Sequence, residues 1–233
     1  MTLNAPAAAS SRPTILLVHG AWHGAWCWEL LAPELRDRGW RVETVELPSA
    51  SADPDNTAGM YDDACAIRKR LSDLGGEVTV LAHSYAGLPA TEAATVPGVS
   101  RLVYLAAFQL EECESLSSLS GGALPHGETG TLEPHEDARN HLYADAADDV
   151  AQRAVERLVL QSVKSFSEPL TTATWKTVPS TYIVCERDRA IDPGFQEVMA
   201  ARAERSYRIP ASHSPFLSMP AELARLITAD AAL

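Results

Sequence analysis

Short apolar runs rich in Val, Ile, Leu and Tyr alternate along the chain with stretches in which apolar positions recur every three to four residues. The short runs predict buried strands, and the periodic stretches predict amphipathic helices. Strands are predicted at 14–19, 41–46, 77–83, 101–107, 181–185 and 206–209. Helices are predicted at 26–38, 57–74, 86–95, 193–204 and 221–229. This order is typical of an α/β fold with roughly six mostly parallel strands and helices on both faces.

The alternation is interrupted once, between residues 108 and 181. The interruption begins rich in Ser, Gly and Pro and becomes acidic and helical in pattern over 136–165. Because a structureless loop of this length is unusual in a compact domain, we expect an inserted helical cap, with a functionless surface excursion as the alternative. The predicted division is a core at 13–108 and 176–233, a helical cap at 109–175 and a disordered tail at 1–12.

Composition restricts the classes of partner. The 233 residues are 46% hydrophobic and 21% charged, which is ordinary for one soluble domain. The net charge of −12 disfavours nucleic acid and anionic membranes as partners. No apolar run is long enough to span a bilayer and no secretory signal is evident, so the expected location is cytoplasmic. The four cysteines lie far apart and predict buried free thiols, with no zinc site: Cys27, Cys65, Cys113 and Cys185.

The sharpest chemical signal is a serine between a buried strand and a helix, in the sequence Ala82-His83-Ser84-Tyr85-Ala86. Small residues stand two positions before and after the serine, as in the G-x-S-x-G nucleophile elbow, with alanine in place of both glycines. A chain that turns so sharply holds the serine in a strained conformation, so its neighbours must be small. Ser84 is therefore predicted to be a nucleophile. We expect His83 to pack beneath the elbow, with a functional role as the alternative.

A nucleophilic serine needs a base, and the base needs a carboxylate that fixes its tautomer. Of seven histidines only His213 follows the last strand, in a loop that can reach the sheet edge, so it is the predicted base. The loop after the strand at 181–185 offers three carboxylates. Asp188 is the predicted partner, because Asp192 precedes a proline at a helix start and is suited to capping, and Glu186 is close enough to belong to the strand end.

An acyl-transfer intermediate also needs hydrogen-bond donors for its oxyanion. We expect these to be the backbone amides of Tyr85 and of Ala21, which lies in the glycine-containing loop after the first strand. A plain turn is the alternative for that loop. Gly20, Trp22 and the Tyr85 side chain are candidate substrate contacts, with packing against the neighbouring helix as an equal alternative for the two aromatic residues.

The order Ser84, Asp188, His213 with the preceding His-Gly loop resembles the α/β-hydrolase fold. Three segments resemble the small esterases related to plant methylesterases and hydroxynitrile lyases: HGAWHGAWCW at 19–28, ERDRAIDPGFQ at 186–196 and PASHSP at 210–215. The likeness covers residues 13–227, with 111–134 the least familiar part. The resemblance implies a Ser-His-Asp triad that works without cofactor or metal.

The chain departs from the lyase branch at two positions. Lyases of this group carry a threonine where this chain has Gly20, and a lysine where it has Ser214. The expected function is therefore cleavage of a small carboxylic ester through an acyl-enzyme. Lactone or thioester hydrolysis, lyase action at the same site and non-catalytic binding of a small molecule are the alternatives. The expected partner is a small-molecule ester, and a homodimer is compatible with the sequence.

Overall fold

The computed structural model describes residues 13–119 and 129–230, and the predicted tail at 1–12 lies outside them. In this part of the chain the strands are β1 (Thr14–Val18), β2 (Arg41–Val45), β3 (Ala50–Ser51), β4 (Val78–His83), β5 (Val99–Leu105), β6 (Thr131–Leu132), β7 (Leu160–Ser162), β8 (Ser180–Cys185) and β9 (Arg205–Ile209). The helices are α1 (Leu31–Asp37), α2 (Met60–Leu74), α3 (Gly87–Ala93), α4 (Leu116–Leu119), α5 (Ala138–Leu142), α6 (Asp148–Val155), α7 (Val163–Ser167), α8 (Pro193–Ala200), α9 (Pro215–Ser218) and α10 (Pro220–Asp230). Single 3₁₀ turns occur at Ala25–Trp28, Ser84–Ala86 and Thr174–Lys176.

Six strands form one parallel sheet in the order β2-β1-β4-β5-β8-β9. The predicted α/β fold is confirmed, and each predicted strand matches an observed one to within two residues. The central strands β1 and β4 are buried along their whole length, which explains their continuous apolar sequences.

Alternate residues of β1 point to opposite faces of the sheet and enter two separate cores. Ile15 and Leu17 pack into the core that includes residues of α1 and α10, whereas Leu16 and Val18 pack into the core that includes residues of α2, α3 and α8. Both faces of the sheet are therefore covered by helices, as expected for a parallel sheet.

The strand order reverses at β1, which lies between β2 on one side and β4 on the other. The loops that leave the carboxyl ends of β1 and β4 consequently diverge and leave a crevice between them. Such a switch point is where open α/β sheets bind ligands. The predicted nucleophile and the loop at 19–24 both lie at this crevice, and we call residues 19–24 the β1 loop.

The predicted helix at 26–38 is wrong in its first half. The structure has a 3₁₀ turn at Ala25–Trp28 and a separate helix that begins at Leu31. Pro33 explains the break, because proline lacks an amide hydrogen and its ring collides with the carbonyl four residues earlier, so it is tolerated only in the first turn.

The predicted helix at 193–204 ends at Ala200, since the chain must be extended again at Arg205 to form β9.

The segment at 109–175, which we call the insertion, is less helical than expected. Its predicted helical stretch at 136–165 contains α5 and α6 but also the strand β7. This strand pairs antiparallel with β6 of the insertion and with β3 of the predicted core. Residues 120–128 lie outside the described residues. The insertion is thus tied by backbone hydrogen bonds to the chain that follows β2, and its boundaries stay a prediction.

The four cysteines are free, as predicted. Cys27 and Cys185 are buried, whereas Cys65 and Cys113 are exposed, so the expectation of burial is wrong for two of them. Cys65 is on the solvent side of α2, where the three- and four-residue repeat places polar groups.

Candidate active site

Ser84 is the first residue after β4 and begins the 3₁₀ turn that leads into α3. Its φ of 55° is left-handed, a conformation that costs an L-residue about 1–2 kcal/mol. The turn is also crowded: a Cβ at Gly87 would collide with the carbonyl of Phe108, and the Ser84 carbonyl accepts a hydrogen bond from the Phe108 amide at 3.1 Å. The strand, strained serine and helix that the motif predicts are therefore present.

His213 and Asp188 are buried and hydrogen-bonded to each other, with 2.7 Å between Nδ1 and Oδ2. The same carboxylate accepts from Gln196 Nε2 at 2.8 Å and from the amides of Ala190 and Ile191 at 2.7 and 3.0 Å. Because both oxygens of this carboxylate already accept N–H donors, it acts as the acceptor toward His213 as well. The proton of the shared hydrogen bond consequently belongs to His213 Nδ1, which leaves Nε2 free to accept one.

The two other carboxylates of this loop do different things. Asp192 Oδ1 accepts from the Phe195 amide at 3.1 Å and caps α8, as predicted. Glu186 is exposed. Of the three candidates the structure brings Asp188 to His213.

His83 links the base to the elbow. Its Nε2 donates to the His213 carbonyl at 2.9 Å, and the two imidazole centroids are 4.5 Å apart. Ser84, the next residue, is half-buried, and among the described residues its hydroxyl has no hydrogen-bond partner. An unengaged hydroxyl is common in free enzymes, where catalytic hydrogen bonds often form only with substrate.

The β1 loop approaches the elbow closely at Gly20. A Cβ on this residue would lie 2.9 Å from His83 Nδ1 and 3.0 Å from Ser84 Cβ, so no larger residue fits without a shift. The next residue, Ala21, is buried, and its amide donates to no acceptor in the described part of the chain. The Tyr85 amide is the second in the 3₁₀ turn, a position with no intrahelical acceptor. The Tyr85 amide thus directly follows the serine, and the Ala21 amide directly follows Gly20.

The side chains of the two predicted aromatic contacts are engaged by protein groups. The Tyr85 hydroxyl donates to Asp63 Oδ2 at 2.5 Å, and Trp22 Nε1 donates to the Leu132 carbonyl at 3.0 Å. Both rings pack against Phe166 of the insertion. Their contact with a substrate stays a prediction.

Two histidines near the site are held neutral. Burial lowers the pKa of His23 to about 3 and that of His83 well below its usual range. Burial also raises the pKa of the Asp63 carboxyl to about 6, against the hydrogen bonds from Ser49 and Tyr85, which lower it. The predicted packing of His83 beneath the elbow agrees with its complete burial.

Comparison with known proteins identifies the family. The family model described as alpha/beta hydrolase family matches residues 15–226. Alpha/beta hydrolase nvfD of Aspergillus novofumigatus (strain IBT 16806) is 30% identical, over 93% of this chain and 95% of its own. The chain belongs to the alpha/beta hydrolase family.

Two further proteins resemble this alpha/beta hydrolase over nearly its whole length. The carbendazim hydrolyzing esterase of Nocardioides sp. (strain SG-4G) is 28% identical, over 92% of this chain and 98% of its own. The crystal structure of a methylesterase protein from Arabidopsis superposes with a TM-score of 0.79 and 24% identity, covering 95% of this chain and 100% of that one. The latter likeness shows the shared fold.

The described residues of this alpha/beta hydrolase include no helix long and apolar enough to cross a membrane. In the same residues, no three His, Cys, Asp or Glu side chains are grouped so that they could hold a metal ion.

Several polar residues that support the site were not predicted from the sequence. Gln196 holds Asp188, Asp63 holds the Tyr85 hydroxyl, and Asp145 accepts hydrogen bonds from the amide and hydroxyl of Ser212, next to His213. Asp63 and Gln196 lie on amphipathic helices, where a polar residue normally indicates exposure. In the sequence, each could be recognised only from its position on the inward face of its helix. That position can be assigned only when it is known exactly which residues of the helix face the core.

Proposed function

We propose that this alpha/beta hydrolase cleaves a small carboxylic ester through an acyl-enzyme on Ser84, with His213 as the base and Asp188 as its partner. The observation that carries the proposal is the buried, hydrogen-bonded pair of His213 and Asp188, whose carboxylate accepts four hydrogen bonds, together with a strained serine at the elbow. Such an arrangement of nucleophile, base and orienting carboxylate is recognised by its geometry.

Each group has one role in the proposed reaction. Ser84 Oγ attacks the ester carbonyl while His213 Nε2 takes its proton, and Asp188 stabilises the imidazolium that forms. The amides of Ala21 and Tyr85 donate hydrogen bonds to the oxyanion. His213 then protonates the leaving alcohol, and a water molecule that transfers its proton to His213 hydrolyses the acyl-enzyme.

The surroundings of Gly20 favour ester hydrolysis over lyase action. A threonine at this position, as in the lyase branch, would place its Cβ 2.9 Å from His83 Nδ1. Only glycine fits this close approach without a shift of the loop, so the threonine of the lyase branch has no room here. The relatives named as esterase and methylesterase support an ester substrate as well.

Turnover of a short aryl ester, a methyl ester and a lactone by the wild type and by Ser84→Ala tests the proposal. We expect ester hydrolysis by the wild type and a loss of about 10⁴-fold or more in the variant, since removing a triad nucleophile abolishes the covalent route. Equal activity of the two proteins would contradict the mechanism. A preference for the lactone would instead identify lactone hydrolysis.

A fluorophosphonate probe distinguishes an enzyme from a binding protein on the same fold. The intact wild type is expected to gain the mass of one adduct at Ser84, while Ser84→Ala and a heat-denatured sample gain none. An unmodified native Ser84 would leave only the binding interpretation.

A further inference from the structure

One peptide of the β1 loop, between Ala21 and Trp22, is held at both ends by side chains. The carbonyl of Ala21 accepts from His23 Nδ1 at 2.7 Å, and the amide of Trp22 donates to Gln161 Oε1 at 3.2 Å. The C=O and N–H of a trans peptide point in opposite directions, so these two bonds fix the orientation of the peptide plane.

The peptide needs such support because Trp22 is in a left-handed conformation, with φ of 63°. This backbone geometry is unfavourable for a bulky residue by about 1–2 kcal/mol and persists only where its surroundings impose it. The Ala21 amide, the proposed oxyanion donor, belongs to the preceding peptide, whose Gly20 carbonyl accepts from His19 Nδ1 at 2.9 Å. The two peptides share the Cα of Ala21, so relaxation at Trp22 would reach this amide through that atom.

His23 is itself oriented from the insertion. Because a carbonyl can only accept, Nδ1 of His23 carries the proton that it donates to Ala21. Nε2 is then an acceptor, and the Tyr143 hydroxyl donates to it at 2.6 Å. All three groups are buried, and burial keeps the imidazole neutral by lowering its pKa. Tyr143 therefore fixes both the tautomer and the ring orientation of His23.

Gln161 is oriented in the same way. Its Nε2 donates to Ser49 Oγ and to Ser165 Oγ, both at 2.7 Å, so its oxygen must face the Trp22 amide. Ser49 Oγ in turn donates to Asp63 Oδ2, which also accepts from the Tyr85 hydroxyl. A continuous buried chain of hydrogen bonds thus joins the Ala21–Trp22 peptide to Tyr85, the residue whose amide is the other proposed donor.

We propose that Tyr143 and Gln161 are positioning residues through which the insertion holds the Ala21 amide in the orientation needed to bind the oxyanion, a role that rests on the proposed ester hydrolysis. Neither side chain touches the reacting atoms in this role. Tyr143 acts through His23, and Gln161 acts through the Trp22 amide.

The substitutions Gln161→Met and Tyr143→Phe test this role, because each removes hydrogen bonds with little change of volume. An oxyanion donor acts only in the transition state, so we expect kcat to fall about tenfold or more in each variant while KM changes less than twofold. The rate is divided by the number of active sites that react with a fluorophosphonate, so that unfolded molecules do not lower the measured kcat. The double variant is expected to lose less than the product of the two single effects, since both residues hold one peptide.

Two variants are matched controls. Gln152→Met changes an exposed residue of α6. Tyr61→Phe removes a hydroxyl that donates to the Pro169 carbonyl at 2.6 Å. Both are expected to keep the wild-type kcat.

A trifluoromethyl ketone provides a second readout, because its adduct with Ser84 carries an oxyanion. In Tyr143→Phe and Gln161→Met its inhibition constant should rise by the factor by which kcat falls.

An unchanged kcat per titrated site in Tyr143→Phe and Gln161→Met, or a change confined to KM, would overturn the positioning role while the ester hydrolysis stands. If Gln161→Met does not fold, Tyr143→Phe decides, because it removes a single oxygen atom. A wild type that titrates but shows no Ser84-dependent turnover would overturn the proposed function, and this role with it.

Discussion

Asp188 and Asp192 stand four residues apart in one loop, and the donors around each determine what it does. Asp188 is buried and receives four hydrogen bonds, one of them from His213. Asp192 receives one from the backbone at the start of α8. In the sequence, Pro193 directly after Asp192 already favours Asp188 as the partner of His213. The hydrogen bond from Gln196 could not be predicted, because the inward direction of its side chain is a property of the folded helix.

The substitutions Asp188→Asn and Asp192→Asn should separate these two roles. Asparagine at 188 cannot accept all four hydrogen bonds and favours the His213 tautomer that cannot take a proton, so kcat should fall by about 10⁴-fold. Asparagine caps a helix as well as aspartate, so the variant at 192 should stay within twofold of the wild type. The measurement is kcat for the best ester of the panel, and the reverse order would reassign the carboxylate.

Among the elements, the elbow between β4 and α3 shows how sterics can outweigh helix propensity. Gly87 is the first residue of α3, and a Cβ there would meet the carbonyl of Phe108, whose amide bonds to Ser84. Glycine is therefore required by the close approach of two chain segments, although it is a weak helix former.

The variant Gly87→Ala tests this account of the elbow. Helix propensity alone would raise the free energy of unfolding by about 1 kcal/mol, whereas overpacking a buried contact lowers it by about 1–3 kcal/mol. We expect a net decrease, measured by urea denaturation monitored by circular dichroism. A gain in stability would show that the Phe108 segment moves aside at little cost.

How well the sequence predicts an element depends on its length and burial. The strands β1, β4, β5 and β8 are predictable because each is a run of five to seven residues with a strong apolar signal, and the edge strands β2 and β9 are five residues long with fewer apolar positions. The strands β3, β6 and β7 have two or three residues, too few to show a period, and they are stabilised by pairing between distant parts of the chain. The same limit applies to the site: Ser84 has a local motif, whereas Gln161 matters through contacts with residues more than a hundred positions away.

At the scale of the whole molecule, buried histidines make stability depend on pH. His23 has a pKa of about 3 in the folded protein and about 6.5 in an unfolded chain. The unfolded state therefore binds more protons below pH 6.5, and the stability present above that pH is lost as the pH falls towards 3. The pKa of His83 is shifted in the same direction. Asp63 opposes them between about pH 6 and 4, because its pKa is raised on folding.

The variant His23→Asn isolates one of these contributions. Asparagine can still donate to the Ala21 carbonyl but does not titrate, so the variant should lose less stability on acidification. Between pH 7.5 and 5 the wild type is expected to lose about 2 kcal/mol more than the variant. Urea denaturation at the two pH values measures the difference, in which the contributions of His83 and Asp63 cancel. Parallel losses would mean that His23 is protonated in the folded protein.

The neutral state of these imidazoles also decides where a proton can reside. The rings of His213, His83 and His23 follow one another at centroid distances of 4.5 and 6.0 Å, close enough to suggest a relay into the interior. Burial makes protonation of the second and third rings costly. In the proposed reaction, a proton removed from Ser84 is therefore confined to His213, next to the departing alcohol, and is not passed inward between the two halves of the reaction.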